Sequence, residues 1–376
     1  MSLDHAQLLT PAERYAAIYP LFTAGLDLAP DEVISVRAPM RWMLSGWRDV
    51  PTAGGGDCTN IALTAGASTS LRRGTRPDRL VLQAPDVDLH LNLSAADLAR
   101  LPDPRDDHAI IRALLHAAQP PVGLELRCTA KGIPAATGLG TSAAVLVTLV
   151  QALAVAAGRD LTPLELVHAA RLPETHLLGL SCGYQDQAAA VHGGVANYHT
   201  RFEGDREALE MRELAVDDAL LATLDLGMII VDFGRPHSSH RSHEVVFERL
   251  AERHPDSIEA FDLLAAAEAG VQAALAAGDF DAFCESLDLT WQAQHLLAPN
   301  MVLPVMRDVV AMARGLGVRA ANVNGAGMGG TVTLLCEPDA VGWVVRALDR
   351  LRGVRVLPCD ISHRGTFHWR HRARGV

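Results

Sequence analysis

The chain has 376 residues, 49% apolar and 20% charged, enough to bury two ordinary hydrophobic cores, which excludes a disordered or fibrous protein. Its 33 basic against 44 acidic residues give a formal net charge of -11, so counterion release offers it little and nucleic acid is set aside as a partner. Lys131 is the only lysine, a sign of GC-rich codon bias that carries no functional information.

The opening segment, MSLDHAQLLTPAERYAAIY, is acidic with no basic stretch before an apolar run, so it does not read as a signal peptide. Glu32 to Ala38 alternates like a strand, as do Arg79 to Gln83 and Asp88 to Leu93. Leu124 to Ala130 alternates and runs into a proline-glycine loop. The apolar run Ser142 to Gly158 is 17 residues, short of the ~20 of a membrane span, and reads as a buried helix. Thr162-Pro163-Leu164-Glu165 starts another helix with a capping-box pattern. The charged stretch after Tyr198, RFEGDREALEMREL, is taken as the boundary between a first domain, residues 1–205, and a second, 206–376. Beyond it come an apolar strand (Leu226 to Phe233), helices from Ser242 to Leu296, and a helix from Leu303 to Gly315. The strand Thr331 to Cys336, a helix near Ala340 to Arg352 and a closing strand, Val354 to Leu357, follow. Strands and helices mixed without regular alternation predict an α+β fold in both halves. Six scattered cysteines with no CxxC pair fit a reducing cytoplasm.

Two glycine loops stand out. Gly138-Leu139-Gly140-Thr141-Ser142-Ala143 sits between a strand and a helix, where backbone N–H groups at a helix start can cradle an anion. It lacks the lysine of a P-loop. It also fails as a dinucleotide fingerprint, because seven residues (KGIPAAT) separate it from its strand and Asp160 falls in a turn. A glycine turn capping a core helix is the plainer alternative. Gly325-Ala326-Gly327-Met328-Gly329-Gly330 enters a strand, so it is either a tight connection or a place of close backbone approach to a ligand. His237, His240 and His243 recur every three residues and suit surface positions, a metal site, or contact with a sugar or phosphate beside Arg235 and Arg241.

Three segments in chain order resemble the motifs of the GHMP kinases (galactokinase, homoserine kinase, mevalonate kinase, phosphomevalonate kinase). They are Arg37-Ala-Pro-Met-Arg41 through Asp49-Val-Pro51, Pro134 through Ala144, and Asn324 through Gly330. The segment Leu178 to Gln187, with Gly193-Gly194 and Asn197, most resembles the D-glycero-D-manno-heptose 7-phosphate kinase and L-fucokinase branch.

The resemblance implies a two-domain GHMP kinase fold, with a left-handed βαβ around the phosphate loop and a ferredoxin-like C-terminal domain. It implies ATP and Mg²⁺, with Pro134, Gly138, Leu139, Gly140, Thr141, Ser142, Ala143, Gly325, Gly327, Gly329 and Gly330 around the nucleotide and Ser142 and Glu174 on the metal. Asp186 is then the catalytic aspartate and Arg41 its partner, while Asp49, Gln185 and Gln187 meet the acceptor. One residue fewer than expected separates Arg41 from Asp49. The implied activity is phosphorylation of the anomeric hydroxyl of a sugar or sugar phosphate, of heptose 7-phosphate, fucose or galactose type, in carbohydrate metabolism. A sugar sensor without turnover and a kinase for mevalonate or homoserine are the alternatives. The expected partner is that small molecule, not nucleic acid or a membrane, and a homodimer is compatible with the chain. Taken singly, Glu174 also reads as a helix-start acid, Asp186 as a turn residue and Arg41 as an exposed strand charge.

Overall fold

A computed structural model describes residues 7–130, 132–134, 136–234 and 239–372, with the backbone alone for 239–241. In chain order the first half runs α1 (Pro11–Ile18), β1 (Glu32–Met43), β2 (Gly55–Arg73), β3 (Leu80–Ala84), β4 (Leu89–Leu93), α2 (Ala95–Ala99), α3 (Ala109–Ala118), β5 (Leu124–Thr129), α4 (Thr141–Ala156), α5 (Pro163–Leu172), α6 (Gln185–His192), β6 (Val195–Glu203) and β7 (Arg206–Glu213). The second runs α7 (Asp218–Gly227), β8 (Met228–Asp232), α8 (Ser239–Ala251), α9 (Pro255–Ala277), α10 (Phe280–Leu297), α11 (Pro304–Arg314), β9 (Val318–Val323), β10 (Thr331–Cys336), α12 (Pro338–Leu348), β11 (Arg355–Leu357) and β12 (Phe367–Arg372).

Among the described residues the strands form two sheets, one of eight and one of four. In the first, β2 pairs antiparallel with β1 on one edge and with β5 and β6 in succession on the other. The chain from β5 to β6 carries the Gly138–Gly140 loop and α4 to α6. The second sheet has the order β11-β8-β10-β9, all antiparallel, with helices between β8 and β9 and between β10 and β11. That is the ferredoxin-like order.

Local sequence explains the framing helices. Thr10 with Glu13 and Thr162 with Glu165 form reciprocal capping boxes ahead of prolines at the first helical position of α1 and α5. Helix α4 is apolar nearly all round and buried beneath the first sheet, as its composition predicts. The expected boundary at 205/206 falls in the turn between β6 and β7. These strands pair from Ala196–Glu213 to Glu203–Arg206, so β7 belongs to the first sheet. The last strand also returns there, with β12 pairing antiparallel to β1. Most of the charges that suggested a linker lie on the exposed side of this hairpin, while Glu207 is buried.

Candidate active site

The loop into α4 turns on two left-handed glycines, Gly138 (φ 79°) and Gly140 (φ 77°). Gly140 is the N-cap of α4, and among the described residues no side chain caps the first-turn N–H groups, which can therefore meet an anion. The third glycine segment braces this loop. A Cβ on Gly138 would run into the Asn324 carbonyl. Both the backbone N–H and the hydroxyl of Thr331 donate to the Thr137 carbonyl over 2.9 Å.

The loop opens on a cleft between the domains. Its lining includes Arg41, Asp49, Gln185, Asp186 and His243 as polar groups, and Met43, Trp47, Val50 and Phe247 as an apolar wall. Arg41 comes from β1 and Asp186 from the first turn of α6. Arg41 Nε donates to Asp186 Oδ1 over 2.9 Å and its terminal nitrogen lies 2.8 Å from the same oxygen. Arg41 also donates to the Gly138 carbonyl. Its side chain is 3% exposed and that of Asp186 33%, so the cation is buried and the carboxylate faces the cleft. A Cβ added to Gly140 would stand 3.7 Å from the Asp186 carboxyl carbon, so the phosphate loop and the aspartate adjoin.

Asp49 is 2% exposed. Its Oδ2 accepts from the backbone N–H groups of Tyr184 (2.6 Å) and Gln185 (2.8 Å), and its Oδ1 accepts from Gln185 Nε2 over 3.3 Å. Burial raises its pKa, opposed by those backbone N–H groups. Its strongest bonds therefore go to the start of α6, and Oδ1 is the oxygen left for an acceptor. Gln187 turns inward, where its Nε2 donates to Glu174 Oε2 over 3.3 Å. The orphaned buried amide oxygen is that of Gln185 on the cleft side and that of Gln187 on the inner side.

Glu174 lies in a π-helical turn continuing α5. Burial pushes its carboxyl up to about 7, with a Cys182 hydrogen bond opposing and the Asp186 charge adding to the shift. Ser142 is exposed at the start of α4 and lines the cleft, whereas Glu174 does not. A hydroxyl and carboxyls are hard oxygen donors of the kind Mg²⁺ takes. Among the described residues no three His, Cys, Asp or Glu side chains cluster as a metal site, so an ion of this kind would draw most of its ligands from phosphates and water.

Of the other expected nucleotide contacts, Gly138, Gly140, Thr141, Ser142, Ala143 and Gly325 line the cleft. Pro134, Leu139, Gly327, Gly329 and Gly330 do not: the Leu139 side chain is core, and Gly327 is pressed against Met301. Asn324 donates to Thr331 and Thr333 hydroxyls beneath the loop. Arg48 lies against Gly56, away from the cleft. Lys131, Arg235 and His237 lie outside the described residues, as do the side chains of His240 and Arg241. His243 stands edge-on to Trp47, ring centroids 5.2 Å apart.

The sequence reading missed Trp47, which takes φ 72° in the shortened segment, and the buried Arg171–Glu207 pair beneath α6. Nothing local marks either. Arg171 and Glu207 are 36 residues apart on different elements.

The family described as GHMP kinases N terminal domain matches residues 108–194, and GHMP kinases C terminal matches 271–352. A D-glycero-alpha-D-manno-heptose 7-phosphate kinase of Campylobacter jejuni is 22% identical over 242 residues, 64% of this chain and 70% of that protein. The crystal structure of a D-glycero-D-manno-heptose 1-phosphate kinase from Bacteroides thetaiotaomicron superposes with a TM-score of 0.70 at 23% identity, covering 89% of this chain and 98% of the other. A mevalonate kinase from Methanococcus jannaschii superposes with a TM-score of 0.68 at 16% identity, covering 87% and 98%. An N-terminal and a C-terminal GHMP kinase domain are thus matched in order along the chain, on the fold those structures share.

Proposed function

We propose that the protein is a sugar kinase that transfers the γ-phosphate of ATP to the anomeric hydroxyl of a sugar or sugar phosphate. One observation carries the reading: Asp186, paired with buried Arg41, faces a cleft beside the uncapped start of α4. ATP phosphates would rest on the N–H groups of that helix start. The acceptor oxygen attacks the γ-phosphorus as the bond to the ADP oxygen breaks, and the hydroxyl proton passes to Asp186. Arg41 holds the Asp186 carboxylate in place and adds positive charge where the transferring group develops negative charge. Bound Mg²⁺ would neutralise phosphate charge, held by the hydroxyl of Ser142 and the carboxylate of Glu174.

A sugar suits the acceptor side because Gln185, Asp49 Oδ1 and His243 offer polar partners against the apolar wall of Trp47 and Phe247. The Gln185 amide oxygen is buried and orphaned, and leaving such a group unpaired costs ~1–3 kcal/mol, which favours a polyol over an isoprenoid acid. The Campylobacter jejuni and Bacteroides thetaiotaomicron relatives are named for heptose phosphates, which supports a sugar. The mevalonate kinase has the same fold, so fold alone does not choose. Six cysteines without a disulfide suit a cytoplasmic site of action. The test is ATP-dependent ADP release with aldoses, heptose 7-phosphates, mevalonate and homoserine, followed by phosphorus NMR of the product. An acid-labile phosphate coupled to the anomeric proton is expected. Activity with mevalonate or homoserine only would overturn the reading.

A further inference from the structure

Immediately before Asp186, the backbone from Cys182 to Gln185 is gripped by opposite charges on two sides. From α5, Arg171 Nε donates to the carbonyls of Cys182 (3.0 Å) and Gly183 (3.1 Å). Its terminal nitrogen donates to both carboxylate oxygens of Glu207 on β7, at 3.0 and 3.1 Å. Its guanidinium carbon stands 3.9 Å from the centre of the Tyr184 ring. From the segment after β1, Asp49 Oδ2 accepts from the N–H groups of Tyr184 and Gln185. Thus two successive carbonyls point at a cation and the next two N–H groups at an anion.

The approach is close enough to dictate sequence. A Cβ on Gly183 would run into the Asp49 carboxylate, and Gly183 is not in the left-handed region, so it is glycine for space alone. Both charges are buried: Arg171 and Glu207 are 4% and 5% exposed, and Asp49 is 2% exposed. Buried ion pairs are poor sources of stability, since well-packed apolar groups often do as well. What this arrangement supplies is one fixed backbone path into α6.

We infer that Arg171 and Asp49 are positioning residues for Asp186, which together clamp the Cys182–Gln185 backbone and so aim the carboxylate on the next residue. This rests on the catalytic role proposed for Asp186. It changes the part expected of Asp49, whose loss then acts on turnover more than on acceptor affinity. Arg171 carries the other half because only a planar fork reaches two carbonyls and a carboxylate at once, and lysine cannot.

The experiment compares Arg171→Lys, Asp49→Asn and Gly183→Ala with the wild-type full chain, each first shown to be folded by circular dichroism. A displacement of ~1 Å at a reacting group costs about 100-fold, so kcat is expected to fall by ~10- to 100-fold in each variant. The KM for ATP is expected to stay within about twofold, because the phosphate loop is untouched. Hydrogen exchange on the nucleotide-free proteins gives a readout independent of activity. The amides of Tyr184, Gln185 and Asp186 are expected to lose protection while those in α4 keep theirs. Wild-type kcat in folded variants would overturn the proposal, as would unchanged protection, or an Asp49→Asn defect confined to acceptor KM. If the wild-type enzyme phosphorylates none of the sugars tested, the sugar-kinase reading fails, and the exchange measurement still decides whether the clamp exists.

Discussion

Replacing Asp186 with asparagine keeps the side-chain volume and removes the carboxylate that faces the cleft, the proton acceptor proposed above. Asp186→Asn is expected to bind nucleotide normally and to lose turnover by ~10²-fold or more, read by ATP binding beside steady-state ADP release. Glu174 gives a pH-dependent signature. Its carboxyl, ordinarily near 4.5, is raised to about 7, so the folded metal-free protein holds a proton that the unfolded chain gives up. The stability this contributes is full below pH 4.5 and lost as pH rises through 7. Thermal melts in EDTA between pH 4 and 8 should therefore show a decline that is weaker in Glu174→Gln. In the proposed site Mg²⁺ would compete with that proton for the Glu174 oxygens, so half-saturating Mg²⁺ should fall as pH rises across that range, and Glu174→Gln and Ser142→Ala should each raise it. Equal Mg²⁺ requirements in both variants and wild type would move the ion elsewhere.

The phosphate loop depends on neighbours that no local pattern reveals. Gly138 is left-handed and its Cβ position is filled by the Asn324 carbonyl, so Gly138→Ala meets both backbone strain and a clash with the third glycine segment. The expected result is a KM for ATP raised by ~10-fold or more, with acceptor KM less affected. A normal ATP KM would mean that the loop tolerates displacement. Elements with a strong local signal were legible in the sequence: α4 from its apolar run, α5 from Thr162 and Glu165, and β10 over Thr331 to Cys336. The glycine loops were legible as places, but their division of labour was not. Gly325 reaches the cleft while Gly327, Gly329 and Gly330 serve the turn, and only the packing of Met301 and Thr137 decides that. The long β2 went unread because its small polar residues lack strand alternation, yet β1, β5 and β6 all pair with it.

Polar links join the two sheets' domains around the cleft. Glu268 on α9 is buried and accepts from the Thr59 N–H (3.0 Å) and hydroxyl (2.5 Å), Asn197 Nδ2 (2.9 Å), Gln272 Nε2 (2.7 Å) and the Ser45 hydroxyl. Trp42 Nε1 donates to Asn322 Oδ1 over 2.8 Å nearby. Glu268→Ala strands several buried donors at once, so a loss of ~2–4 kcal/mol is expected in urea unfolding. An unchanged midpoint would show that water replaces the carboxylate. Glu268 also gives α9 its meaning: the helix is long and apolar enough to cross a membrane, but its buried face meets α10 and β2. The links from Trp42, Ser45 and Thr59 span more than 200 residues, and so does β12, whose return to β1 lay beyond any sequence pattern. That return has a consequence for synthesis. The β1 edge that β12 covers is complete in sequence at Met43 but waits for Phe367. At ~5–20 residues per second, it emerges tens of seconds before its partner. An unpaired edge is a template for wrong strands. The nascent chain thus carries an unpaired strand edge through most of translation, so crowded polysomes or scarce chaperones are expected to lower the yield of folded protein.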